Sequence, residues 1–224
     1  GKITLKCPAD DCMVIATPFA EKKTAFYYNQ KINCMPATGS VSFGDKTYEF
    51  PEGKSFGTLD WGRGVWTYKN TWYWGSASGL APDGKRLGWN IGYGFGDTSA
   101  ASENMIFYDG KAHKLSHVSF GIPMKHKIYV THGGCCGSSS GRCAETMDLI
   151  EDYMSPWTFT SDDGRFEMDF VPIIDRAALT DAKLVSSDQH QVFGKFTGKV
   201  ILDDGTVIEV KDFLGFAEKV TNKW

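Results

Sequence analysis

The sequence lacks a long hydrophobic run, a basic stripe and a regular cysteine framework. Its longest apolar stretches, such as Met13–Ala16, are far shorter than the roughly 20 residues that a membrane-spanning helix needs. Its 24 basic and 27 acidic residues are mixed along the chain and give a formal net charge of −3. We therefore expect the chain neither to span a membrane nor to bind nucleic acid, which requires clustered positive charge.

The six cysteines form two loose groups without the spacing of a disulfide framework. His132, Cys135, Cys136 and Cys143 offer soft ligands for zinc. However, adjacent cysteines inside a serine- and glycine-rich loop favour free thiols or a local disulfide, so we predict no metal site. Asn-x-Ser/Thr acceptors are absent, which is compatible with a cytoplasmic location.

Aromatic residues and glycine are abundant, and both favour β structure. The 224 residues include 7 Trp, 9 Tyr, 15 Phe and 25 Gly, and 42% of the chain is apolar. Aromatic rings pack well on a pleated sheet, whereas glycine suits tight turns and close approaches of two backbones. This length fits one large domain, and we predict a single β domain over residues 1–224.

Aspartate–glycine pairs separate strand-like segments at 83–84, 109–110, 163–164 and 204–205. Such pairs accept the positive φ angles of tight hairpin turns, which join neighbouring antiparallel strands. Residues Arg165–Val171 alternate between polar and apolar side chains, as on a half-buried strand. Connections this short cannot hold crossover helices. The predicted fold is therefore all-β, as an antiparallel barrel or a two-sheet sandwich.

One segment departs from this pattern. Residues 132–146 begin with a glycine- and serine-rich stretch of linker-like composition, and we interpret them as a loop insertion. Met147, Ile150 and Met154 then have the spacing of one face of a helix. The sequence therefore predicts one short helix within residues 143–154.

The densest group of chemically useful residues is LDWGRGVW at 59–66, followed closely by Trp74. An arginine flanked by indoles can stack on a ring and bind a carboxylate at its edge. One interpretation is a ligand cleft with Asp60 and Arg63 at its base and Trp66 and Trp74 beside them. The other is a buried Asp60–Arg63 ion pair with the tryptophans as ordinary core, since buried ion pairs are often structural.

A second group contains the alternating glycines of Gly92–Asp97 and the segment Ser102–Asn104. No helix pattern follows these glycines, so no helix N-terminus is available for a phosphate, and we expect no dinucleotide or other cofactor. Asp97, Glu103 and Asn104 are candidate polar groups near a ligand. Because motifs for a serine nucleophile are absent, an enzyme on this chain would use carboxyl groups as acid and base. The candidates for that role are Asp60, Asp97, Glu103 and Glu218.

Histidine supplies further candidates. His113 and His117 lie four residues apart on one predicted strand and so share a face. His190 and Gln191 begin another predicted strand. We assign His113, His190 and Gln191 to ligand binding, with a purely structural role for each histidine as the alternative.

Several motifs together resemble an uncharacterised bacterial family, a domain of unknown function. They are LDWGRGVW (59–66), WYWGSASG (72–79), GFGD (94–97), SEN (102–104), DGKAHKL (109–115), HQVFGKFTG (190–198) and GFAEKVTNKW (215–224). The members of that family are longer. The resemblance therefore implies that this chain is the C-terminal part of a longer protein, whose N-terminal segment is a candidate partner. It also implies a lipocalin-like architecture, remotely akin to carotenoid hydratase and tocopherol cyclase proteins, which act on long apolar molecules.

Three functions stay open at this point. The favoured one is binding of an apolar or amphipathic small molecule, of lipid or isoprenoid type, in an aromatic-lined β cavity. The second is a non-redox enzyme that uses a carboxylic acid for hydration, cyclisation or isomerisation, or a carbohydrate-active enzyme with paired carboxylates. The third is a structural domain. The expected partner is a small hydrophobic or amphipathic ligand.

Overall fold

The structure is a computed structural model that describes residues 1–131 and 144–224. These residues form 16 strands and contain no helix. The strands are β1 (Lys2–Leu5), β2 (Met13–Pro18), β3 (Phe26–Phe43), β4 (Lys46–Phe50), β5 (Phe56–Val65), β6 (Lys69–Leu80), β7 (Arg86–Tyr93), β8 (Met105–Tyr108), β9 (Lys111–Lys114), β10 (Val118–Gly121), β11 (Met124–Thr131), β12 (Ala144–Glu151), β13 (Trp157–Ser161), β14 (Phe166–Asp181), β15 (Ser186–Ile201) and β16 (Val207–Lys223).

Nine strands form one antiparallel sheet in the order β10-β13-β14-β15-β16-β6-β7-β8-β9. The four Asp-Gly turns join β6 to β7, β8 to β9, β13 to β14 and β15 to β16, as predicted. The β8–β9 turn has positive φ at both Asp109 and Gly110, the conformation that suits the right-handed twist of a hairpin.

The concave side of this sheet holds the hydrophobic core. Strand β14 alternates between buried and exposed residues from Phe166 to Val171, which confirms the alternation predicted from the sequence. Trp89 lies against Phe166 and Phe196, with ring centroids 5.5 and 5.2 Å away. The sheet curls into a half-barrel. Tyr93 of β7 and Phe120 of β10, from strands far apart in the sheet order, consequently pack edge to face at 5.5 Å.

A second sheet of five strands is organised around β3, the longest strand of the fold. The first half of β3 pairs with β2 and β5, and its second half pairs with β1 and β4. Between Ile32 and Met35 the register with β5 shifts, and Cys34 adopts a φ of 57°. This bulge bends β3. There the side-chain amide of Asn33 donates hydrogen bonds to the hydroxyl of Ser76 and to the backbone carbonyl of Trp89, both in the nine-stranded sheet.

The predicted short helix is wrong for the described residues. Residues Ala144–Glu151 form β12, which pairs antiparallel with β11 in a separate two-stranded sheet. The spacing of Met147, Ile150 and Met154 matches one face of a helix, but pairing with Met124–Thr131 overrides this local pattern and decides the outcome. Met147 is exposed on this strand, and Met154 lies in the following turn.

The all-β antiparallel prediction is confirmed, and the curled sheet with additional sheets is consistent with both the barrel and the sandwich alternatives. His117 lies outside β9, so it does not share a strand with His113. The zinc candidates His132, Cys135, Cys136 and Cys143, and most of the predicted insertion at 132–146, fall outside the described residues. Within the described ranges, no helix is long and apolar enough to cross a membrane.

Candidate functional site

A cavity of about 210 Å³ lies between the five-stranded and the nine-stranded sheets. Strands β3 and β5 contribute one side, β6 and β16 contribute the other, and residues just beyond the strand ends complete it. Most of its lining is aromatic, and the rest is ionisable or amide. The lining residues are Tyr27, Asn29, Lys31, Asp60, Trp66, Trp72, Trp74, Phe95, Glu103, Glu218 and Trp224.

Strand β3 places three lining residues by simple alternation. Tyr27, Asn29 and Lys31 are two residues apart, so their side chains lie on the same face of the strand. Lys31 pairs in register with Asp60 of β5, and a register pair on one face brings two side chains together. The sheet pairing thereby presents an amide, an ammonium and a carboxylate to one space.

Lys31 is the central charged group of the cavity, since its side chain is only 5% exposed. Its Nζ lies 3.4 Å from Oδ2 of Asp60 and 3.5 Å from Oε2 of Glu103. The same nitrogen lies 3.5 Å from the centre of the Trp74 ring, a cation–π contact. Two carboxylates and one π face therefore compensate the buried ammonium.

Glu218 is the second buried charged group, at 5% exposure. Its Oε1 accepts a hydrogen bond from the indole of Trp72, and its Oε2 accepts one from the amide of Gln191, both at 2.9 Å. Burial raises the pKa of Glu218 above its usual range, although these two hydrogen bonds and the charge of Lys31 oppose that shift. Glu218 is therefore a carboxyl group held in one orientation with an increased tendency to keep its proton.

Hydrogen bonds also fix the positions of Trp74 and Glu103. The indole of Trp74 donates to Oδ1 of Asn90 (2.7 Å), and the amide of Asn90 donates to Oε2 of Glu103 (3.0 Å). Asn90 itself is fully buried on β7. Gly92, two residues further along β7, has no side chain, and a Cβ there would come within 2.8 Å of the Glu103 carboxylate. One glycine of the GYGFGD segment thus makes room for this acid.

Phe95 links the aromatic side of the cavity. Its ring packs edge to face against Tyr27 at 4.9 Å, Trp72 at 5.4 Å and Trp66 at 5.9 Å. Burial, followed by the nearby charges of Asp60 and Glu103, raises the pKa of Tyr27 above its ordinary range. Tyr27 consequently stays a neutral phenol at physiological pH.

The glycines of LDWGRGVW have a steric role beside this cavity. A Cβ at Gly62 would overlap the ring of Tyr27, and a Cβ at Gly64 would overlap the carbonyl oxygen of Phe26. Both glycines let β5 lie close to β3 while the Tyr27 ring stays in place.

Five of the predicted site residues meet at this cavity: Asp60, Glu103, Glu218, Trp66 and Trp74. Gln191 does not line it, but it orients Glu218 through the hydrogen bond described above. Consecutive strand residues point to opposite faces, and this is why Gln191 faces Glu218 while its neighbour His190 does not.

Three predicted residues lie elsewhere. Arg63 is exposed on β5 and lies outside the cavity lining, since residues three apart in a strand, such as Asp60 and Arg63, occupy opposite faces. Asp97 is exposed in the loop after β7, where hydrogen bonds from Ser99 lower the pKa of its carboxyl group. Asn104 is buried, with its side chain accepting from Gly92 N–H and donating to Ser116 C=O, so its contacts hold the loop before β8.

The two candidate histidines also lie away from the cavity lining. Nδ1 of His113 is 3.2 Å from the carboxylate of Asp203. Nδ1 of His190 is 2.6 Å from Oδ2 of Asp175, and its ring stacks on Tyr153 with centroids 3.8 Å apart. Each histidine has a carboxylate partner within the fold.

Sequence inspection missed six lining residues: Tyr27, Asn29, Lys31, Trp72, Phe95 and Trp224. One signal was available for the first three, since alternation along Phe26–Ile32 places them on a single face. The sequence offered no comparable signal that this face would meet β6 and β16. Within the described residues, no group of three or more His, Cys, Asp or Glu side chains is placed to hold a metal ion.

Comparisons with known proteins assign no function to the chain. The full chain, residues 1–224, matches the model of a family described as "Domain of unknown function (DUF2804)". No curated protein matches the chain. No solved structure matches it either, so the lipocalin-like resemblance and the kinship to carotenoid hydratase and tocopherol cyclase proteins stay predictions.

Proposed function

We propose that this chain, which belongs to that family of unknown function, binds a small amphipathic molecule. The binding site is the cavity between its two larger sheets. The observation that carries the proposal is the combination of six aromatic rings with buried, oriented polar groups around one space. Ligand sites are typically concave and mostly apolar, with a few convergent polar groups that set orientation.

The cavity volume limits what can be enclosed. A cavity of about 150 Å³ in another protein holds one benzene molecule, so about 210 Å³ suits one ring with a short substituent. A lipid or isoprenoid would place only its end group here. The rest of such a molecule would extend past Trp224, which is 47% exposed.

The two ends of the cavity favour different parts of one ligand. Phe95, Trp66 and Trp72 present ring faces and edges, which suit an apolar body. Lys31, Asp60 and Glu103 form a polar end. Since the buried polar groups are held by hydrogen bonds to Asn90 and Gln191, they need little rearrangement when a ligand arrives.

Binding can be tested with a panel of one-ring probes: indole, phenol, 2-phenylethanol, 2-phenylethylammonium and phenylacetate. Ligand-detected NMR would measure their binding to the intact chain. We expect at least one probe to bind and Trp66→Ala to weaken that binding about tenfold or more, because the variant removes one lining ring. Trp61→Ala is the matched control, since Trp61 is exposed and contacts Tyr28 outside the cavity.

The proposal fails if no probe binds at millimolar concentration, or if Trp61→Ala weakens binding as much as Trp66→Ala. The aromatic and charged residues would then act in stabilising the contact between the two sheets, which is the structural-domain alternative.

A second candidate function is acid catalysis, and the burial of Glu218 favours it. Burial raises the pKa of this carboxyl group, as an acid that donates a proton near neutral pH requires. The neighbouring indole of Trp72 would stabilise positive charge on a protonated substrate. The test is untargeted mass spectrometry of a metabolite extract incubated with the wild type and with Glu218→Gln. A compound converted by the wild type alone supports catalysis, whereas identical profiles contradict it.

A further inference from the structure

The charges that line the cavity do not balance. One ammonium, that of Lys31, faces the carboxylates of Asp60 and Glu103, and Glu218 adds a third carboxyl group to the lining. Charges in a partly buried site interact more strongly than they do in water. The imbalance therefore attracts a positively charged group and repels a carboxylate or a phosphate.

The rings around the cavity form an apolar lining beside these charges. Phe95 packs edge to face against Tyr27 and Trp72, at 83° in both cases. Lys31 makes a cation–π contact, with its Nζ 3.5 Å from the centre of the Trp74 ring. The lining therefore already accepts a positive charge against a ring face, an interaction that ammonium ligands also use.

Asn29 supplies an independent observation. It lines the cavity, it is 2% exposed, and its Oδ1 has no hydrogen-bond partner among the described residues. A buried acceptor without a donor is costly. An amide oxygen can only accept a hydrogen bond, so a group that completes this site carries N–H or O–H.

We propose that the ligand of this cavity is an organic cation, an ammonium group attached to one ring or to a short apolar chain. This inference rests on the binding function proposed above and specifies its ligand class. The ammonium group occupies the acidic end beside Asp60 and donates toward Asn29, while the apolar part lies against Phe95 and Trp66. Lys31 stays in its ion pairs and limits the number of positive charges that the site accepts to about one.

Three probes of nearly equal shape test the charge preference: 2-phenylethylammonium, 2-phenylethanol and phenylacetate. Isothermal titration calorimetry at low ionic strength would give their affinities for the intact chain. We expect the ammonium probe to bind at least about tenfold more tightly than the alcohol and phenylacetate to bind most weakly. Salt should weaken the ammonium probe more than the alcohol.

Asp60→Asn tests the site itself, because it removes one negative charge with little change of shape and leaves Lys31 paired with Glu103. The variant should lower the affinity for the ammonium probe about tenfold and leave that for the alcohol nearly unchanged. Asp152→Asn is the matched control, since it removes a carboxylate from the Lys125–Asp152 ion pair outside the cavity lining. Asn29→Leu, which changes no charge, should also weaken the ammonium probe.

The outcomes separate the two proposals. If the alcohol or phenylacetate binds as tightly as the ammonium probe, and Trp66→Ala still weakens that binding, the cavity binds ligands but the cation assignment is wrong. Equal effects of Asp60→Asn and Asp152→Asn would also overturn the assignment. If indole or phenol binds but none of these three probes does, the cation assignment is wrong and the binding function stands. If none of the five probes binds, the binding function itself is contradicted.

Discussion

Glu218 shows how the fold alters a single residue. Its carboxyl group is buried at 5% exposure, and burial raises its pKa from the ordinary value of 4.5. The folded chain therefore binds this proton more readily than the unfolded chain does. By linkage, the contribution of Glu218 to stability is greatest below about pH 4.5 and is lost as the pH rises through the raised pKa of the folded state.

Glu218→Gln should remove this dependence, because glutamine keeps the shape and does not titrate. We expect the free energy of unfolding of the wild type, relative to that of the variant, to decrease as the pH rises above about 4.5. Urea unfolding over a pH series measures this difference. Glu167→Gln, which removes an exposed carboxyl group paired with Lys199, is the control for general charge effects. A difference that stays constant with pH would show that Glu218 does not titrate in this way.

At the scale of elements, the contact between β3 and β5 determines the shape of the cavity. These strands carry Lys31 and Asp60 in register, and glycine lets them approach each other. Gly64 does not adopt a positive φ, so its role is steric: a Cβ there would overlap the backbone oxygen of Phe26. Backbone atoms cannot move aside as the end of a flexible side chain can.

Gly64→Ala should therefore destabilise the protein by about 3 kcal/mol, through overpacking against the backbone. Gly205→Ala is a useful comparison. Gly205 has a φ of +83° and nothing within 4 Å of an added Cβ, so only the backbone conformation would cost about 1 kcal/mol. Urea unfolding of both variants measures the two losses. Equal losses would contradict a steric role for Gly64.

At the scale of the whole molecule, the two halves of β14 have different surroundings. Residues Phe166–Phe170 lie between β13 and β15, and every second side chain among them is buried in the core. From Val171 onward β14 pairs with β15 alone, and Leu179 there is 75% exposed. Segments with few buried apolar contacts open at a lower free energy than the core does.

Hydrogen exchange should separate these two halves. We expect the amides of 166–170 to exchange only through global unfolding, and those of 174–181 to exchange at least about a hundredfold faster through local opening. Mass spectrometry of overlapping peptides from the native protein would measure both in one experiment, with each half serving as the reference for the other. Equal protection along β14 would mean that a contact covers the outer half.

Local patterns in the sequence were enough for the strand class and for several turns. The Asp-Gly pairs and the alternation over Arg165–Val171 depend only on neighbouring residues, and both predictions are confirmed. The helix predicted within 143–154 is wrong because pairing between strands overrides a spacing pattern of a few residues. The state of this segment depends on pairing with β11, which lies outside the window that the spacing covers.

The sequence by itself determined that this chain is an antiparallel β protein with an unusual density of tryptophan and glycine within residues 59–104. Only the tertiary structure decided which of those residues meet. Lys31, Asp60, Glu103 and Glu218 come from four separate segments, and they converge because β3 and β5 pair in one register while β6 and β16 pair in another. Register and sheet packing depend on contacts between segments far apart in the chain, and short-range patterns do not contain them.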